Sequence, residues 1–177
     1  MRRYEFDLTE LTHEHGKSLV PHLKGQLADL ELNFFVDDKL LFDHQHFDPN
    51  IKDGAGFATY KNGHKKGGAL RFMQWHIRMP AYDTLPVYET KEYSPSASPR
   101  AIVTIPSFVV CPARHLTQDE LDMDGFRDHD EMIREMQRYY KTITRGSIVS
   151  FYRFGDAILR PTPQELKSYL HTHQTKK

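Results

Sequence analysis

The segment Ala101 to Phe154 constrains this fold more than any other part of the chain. Ala101-Ile-Val-Thr-Ile105 is an extended apolar run, Pro106 removes a backbone donor, and Ser107-Phe-Val-Val-Cys111 resumes the run. That is one strand bent at Pro106, or two strands in succession. Thr117 and Glu120 have capping-box spacing for a short helical turn. Asp128 and Glu131 mark a second helix start, and Met132, Ile133, Met136, Tyr139 and Tyr140 fall on one helical face. Ser147 to Phe154 returns to strand character. Strands broken by short helices, without regular strand–helix alternation, exclude a doubly wound α/β sheet. They point to a mixed α+β domain with helices covering the ends of its β-structure.

The rest of the chain adds elements of the same kind. Leu19, Leu23, Leu27 and Leu30 recur at near-helical spacing, with Ser18 placed as a cap and Pro21 in the first turn. Leu32, Phe34 and Val36 alternate as one face of a strand. Asp37-Asp38 would turn the chain into a partner strand over Lys39 to Phe42. Asp48 to Gly56 reads as a loop, Phe57 to Tyr60 as a short strand, and Asn62-Gly63 as a type I′ hairpin. Ala69 to Ile77 would be the return strand, with Ala69, Met73, Trp75 and Ile77 on one face and Arg71 as a charged exception there. Four prolines between Pro80 and Pro99 read as a loop insertion over about 80–99, holding at most a short strand at Val87 to Lys91. Thr162-Pro163-Gln164-Glu165 starts a last helix over about 163–171.

At 177 residues, 1–177 reads as a single domain. Twenty-four basic and 24 acidic residues cancel, but they are segregated. Lys61 to Arg78 carries five cations and no carboxylate, whereas Asp119 to Glu135 is mostly acidic and reads as a solvated helical face. No apolar run approaches the roughly 18 residues that span a bilayer, and Met1-Arg-Arg-Tyr-Glu-Phe-Asp has no apolar signal core. The lone Cys111, inside an apolar strand, is expected to be a buried inert thiol, and a cytoplasmic location is the simplest expectation. Phosphate-loop, dinucleotide, nucleophile-elbow and Cys-x-x-Cys patterns are absent from the sequence, so no cofactor is expected.

The order Arg100–Cys111, Leu116-Thr-Gln-Asp-Glu-Leu121, Asp124-Gly125-Phe126, helix, then strand to Phe154 resembles the second half of an ASCH domain, a branch of the PUA-like β-barrels. The resemblance covers about a third of the chain. It implies a PUA-like mixed barrel and a role on RNA or modified nucleosides. It gives Gly125 a backbone role and makes Phe126 the anchor of the following helix. The family's early Gly-x-Lys-x-x-Glu-x-Arg type motif has its nearest counterpart in His22 to Asn33. There Gly25 and Glu31 match with one residue inserted, while Leu27 and Asn33 stand near the Lys and Arg positions.

Lys65, Lys66, Arg71 and Arg78, interleaved with Phe72, Trp75 and His76, combine phosphate-neutralising charge with rings that stack unpaired bases. Trp75 or Tyr82 would stack a base, and Arg100 would border the cleft if the 80–99 loop closes over it. The expected ligand is therefore RNA, another single strand or a modified nucleoside. A hydrolase of ASCH type would instead use Lys24 and Glu31 as its acid–base pair. An accessory factor would dock a protein partner through residues 82–93. His44 and His46 flank Gln45 between Asp43 and Asp48 and are weak metal candidates without a third ligand. His13/His15 and His171/His173 repeat the His-x-His spacing, and His115-x-Thr117 with His173-x-Thr175 faintly suggests a two-histidine phosphoesterase.

Overall fold

In a computed structural model the described residues are 3–8, 19–42, 67–155, 157–159 and 161–173. They form a mixed α+β structure of three sheets and a few short helices. The first sheet takes β1 (Tyr4–Asp7), β8 (Ser107–Pro112), β9 (Ile148–Arg153) and β4 (Gly68–Arg71), in that order and antiparallel throughout. The second runs β10 (Ala157–Leu159), β7 (Ala101–Thr104), β6 (Thr84–Glu89) and β3 (Leu40–Phe42), with β3 parallel to β6. The third is a parallel pair, β2 (Asn33–Asp37) and β5 (His76–Pro80). The expected α+β class is present, but among the described residues these sheets are not hydrogen-bonded into one closed barrel.

The unbroken apolar run Phe108-Val-Val-Cys111 follows from burial of both faces of the first sheet. Phe108, Val110, Ala69 and Tyr152 face the main core, shared with the other two sheets. Val109, Cys111, Leu70, Val149 and Phe151 face a second core. That second core is closed by helices α2 (Gln118–Met123) and α3 (His129–Met136), through Leu121 and Met132. The predicted starts of both helices are present. Thr117 and Glu120 cap each other reciprocally, and Asp128 Oδ1 accepts the Glu131 N–H at 2.8 Å. Gly125 joins the helices at φ 86, a backbone state that a Cβ opposes, and Phe126 is buried beside it. Tyr139, expected on the buried face, is 53% exposed, because α3 ends at Met136.

Helix α1 (Val20–Leu27) buries Leu23 and Leu27 and carries a proline in its first turn; it begins at Leu19 without a side-chain cap, and Ser18 lies outside the described residues. Helix α4 (Pro163–His173) starts with the predicted reciprocal pair between Thr162 and Glu165. It docks through Tyr169, whose hydroxyl donates to the Thr84 carbonyl at 2.8 Å. Among the described residues no helix is long and apolar enough to cross a membrane.

Three expectations are corrected here. Strands β2 and β3 do not pair with each other; each joins a different sheet, in parallel. Asp37 ends β2 and is buried, bonded to Arg78 and Tyr152, and the bend expected at Asp37-Asp38 falls at Asp38–Lys39. The supposed strand Ala69–Ile77 is β4 and β5, separated by a tight turn at Met73–His76. The supposed loop insertion at 80–99 holds β6, an interior strand. Its proline is tolerated for a positional reason. Asp83 and Val87 carbonyls accept from Ile105 and Arg100, so the bonding edge toward β7 uses alternate residues. Pro86 therefore turns its missing N–H the other way, where β3 pairing begins only at Val87. Strand β10 had no counterpart in the sequence-based expectation.

Candidate nucleic-acid interface

The turn between β4 and β5 carries Trp75. The His76 N–H donates to the Met73 carbonyl at 3.0 Å and closes the turn, and the Asn33 N–H donates to the Trp75 carbonyl at 3.3 Å. Trp75 is held at φ 66, a left-handed conformation costing on the order of 1–3 kcal/mol for a bulky residue. The residue is 71% exposed. It borders an open cavity of about 240 Å³ lined by Leu32 before β2, by Phe72, Met73, Gln74 and His76 around the turn, and by Thr142, Ser147 and Ile148 leading into β9. The apolar floor and a rim of amide, imidazole and hydroxyl groups suit a flat heterocycle with polar edges. Lys141, next to Thr142, is exposed.

The other predicted site residues are distributed differently. Arg78 reaches inward from β5. Its Nε and Nη2 donate to the two Asp37 oxygens at 3.2 and 2.5 Å, and its guanidinium carbon lies 5.0 Å from the Phe35 ring centre. Asp37 also accepts the Tyr152 hydroxyl at 2.7 Å. Burial, with Asp37 beside it, pushes the Tyr152 phenol far above its usual range. Arg71 is 9% exposed and faces the main core from β4, with its guanidinium carbon 4.9 Å from the Phe42 ring centre. Arg100 donates to Glu89 at 2.9 Å and bonds Glu92 as well. It therefore serves an internal ion pair at the end of β6 rather than the rim of a cleft under a closing loop. Tyr82 is 8% exposed within the main core, so it does not present its ring for stacking as Trp75 does.

Lys24 is exposed on α1, with Nζ 5.6 Å from the Phe34 ring centre. Glu31 is exposed at φ 54 after the 3₁₀ turn Ala28–Leu30. Neither residue lines the cavity at Trp75. Lys65, Lys66, His44, His46, His13 and His15 lie outside the described residues, as do the side chains of His171 and His173. Among the described residues no group of three or more metal-ligating side chains is gathered. Within 82–93, proposed above for protein docking, residues 84–89 form the largely buried β6.

The acidic segment is not a uniformly solvated face either. Glu120, Asp124 and Glu131 are buried, and the Asp124 Oδ2 accepts the Leu70 N–H at 3.0 Å. The lining at Leu32, Thr142, Ser147 and Ile148 was not anticipated. These residues come from distant segments and carry no local spacing signal. The structure thus leaves Trp75 at a cavity mouth while Arg78 and Arg100 are engaged internally. No protein-family model, curated protein or solved structure matches this chain.

Proposed function

We propose that the protein binds single-stranded nucleic acid, RNA or a modified nucleoside, by stacking one base on Trp75. The observation that carries this reading is a large aromatic side chain held exposed, on a strained turn, at the mouth of a 240 Å³ cavity. Strain of this kind persists where the surrounding structure enforces it, and it concentrates at binding sites. A base would lie on the indole face with its polar edge toward Gln74, His76 or Thr142, and Lys141 would meet the flanking phosphate. The ASCH-like, PUA-like assignment belongs to this proposal. It is supported by the left-handed Gly125, the buried Phe126 and the strand–helix–strand order from β8 to β9.

Trp75 is the single tryptophan of the chain, so indole fluorescence reports on this position alone. Titration with single-stranded RNA oligonucleotides should quench it, with an affinity that weakens as salt rises. Loss of one stacked base is worth ~1–3 kcal/mol, so Trp75→Ala should weaken binding, followed by anisotropy of a labelled strand, about 5- to 150-fold. Unquenched fluorescence together with equal affinity in the variant would remove the stacking platform from the reading.

A further inference from the structure

Among the described residues, two buried guanidinium groups are unequally paired in a way that the Trp75 site does not explain. Arg71 and Arg78 both act electrostatically on the Tyr152 phenol, which is hydrogen-bonded to Asp37. Asp37 is already committed, with both oxygens taking the Nε–Nη2 edge of Arg78 and one also taking Tyr152. Glu89 takes Arg100. The corresponding edge of Arg71 is unfilled: its Nε and Nη2 are both buried and neither has a hydrogen-bond partner. These two N–H groups point in parallel from one side of a guanidinium and match a pair of oxygens. A buried cation left this way is costly, and the Phe42 ring over it supplies only part of the compensation.

We infer that the Nε–Nη2 edge of Arg71 is a binding site for a two-oxygen anion, a carboxylate or phosphate group, held as Asp37 is held by Arg78. Such an anion would balance two guanidinium groups against two negative charges where, among the described residues, Asp37 supplies one. Because the edge is shielded from water, the group covering it must shift as the anion enters, and the pair then forms in a low-dielectric setting that strengthens it. The site goes beyond the stacking proposal, since Arg71 faces the core and does not line the cavity at Trp75.

The test is thermal denaturation of the full chain at constant ionic strength in chloride, with inorganic phosphate, acetate or adenosine monophosphate added. At saturation the bound anion should raise Tm by about 5 °C or more, where chloride does not. A rise with acetate points to a carboxylate ligand, one with inorganic phosphate to a free phosphate, and one with the nucleotide alone to an esterified phosphate. Arg71→Met should abolish the rise. Should that variant fail to fold, Arg71→Lys, which keeps the charge but loses the paired edge, should weaken the anion at least about tenfold. Trp75→Ala should leave the response to phosphate and acetate intact, which separates this site from the stacking platform. No rise with any of the three anions, or an equal rise in the Arg71 variants, overturns the inference.

Discussion

Replacing Glu120 with Gln should destabilise the fold by about 3 kcal/mol, the low end of what breaking a buried ion pair costs. Glu120 is buried in α2 and ties three separate segments together. Its oxygens accept from Arg3 Nη1 and Nη2, both at 2.7 Å, from Arg153 Nη2 at 2.6 Å, and from the Thr117 N–H at 2.9 Å. Counted separately at ~1.5 kcal/mol or more each, four bonds to a charged acceptor would total ~6 kcal/mol. They share two oxygens, however, and the Arg3 and Arg153 side chains keep 21% and 29% exposure, so water recovers part of the loss. Gln keeps the shape but turns an amide donor toward a guanidinium. For a chain of this length each kcal/mol shifts Tm by about 2–4 °C, so calorimetry near neutral pH should find a fall of about 6–12 °C.

The pH dependence of that gap separates charge from shape. Burial alone would raise the Glu120 carboxyl pKa. Hydrogen bonds from Arg3 and from the Thr117 N–H, with the charges of Arg3 and Arg153, outweigh burial and hold it below the usual value. A folded pKa below the unfolded one means the contribution is whole above the unfolded value of ~4.3 and disappears as pH falls through the lowered folded value. The melting points of wild type and Glu120→Gln should therefore differ most near neutrality and converge in acid. A drop under about 2 °C, or a gap that does not narrow toward about pH 3, would refute the account.

Two further expectations test the packing of the first sheet. A Cβ at Gly68 would stand 2.5 Å from Phe151 ring carbons and 2.8 Å from the Tyr152 carbonyl oxygen. Gly68→Ala should therefore cost about 1–3 kcal/mol, read as a lower urea midpoint with an unchanged slope; an unchanged midpoint would mean that the sheet gives way. Burial pushes the Cys111 thiol up to about 11, with the charge of Arg3 opposing it in part. Disulfide reagents at about pH 8 should leave Cys111 unlabelled in the native protein and label it on unfolding, and rapid native labelling would contradict its burial in the second core.

The sequence carried whatever is decided within a few residues. Reciprocal capping at Thr117/Glu120 and Thr162/Glu165 and the Asp128 cap rest on side chains meeting backbone three positions away, and Gly125 on its own backbone freedom, while the apolar run of β8 is legible from composition alone. The α+β class follows from their order. What stayed illegible depends on partners distant in the chain. Asp37 read as a turn residue because Arg78 and Tyr152, 41 and 115 positions away, gave no local sign of claiming it. Pro86 read as a strand breaker because its tolerance depends on where β3 begins to pair. Arg71 and Trp75, four positions apart, read as one face of a single strand; a tight turn sent the cation into the core and the indole to the surface. Local hydrogen bonding is fixed by spacing along the chain, whereas burial and charge pairing depend on which sheet each strand enters, and only the assembled packing decides that.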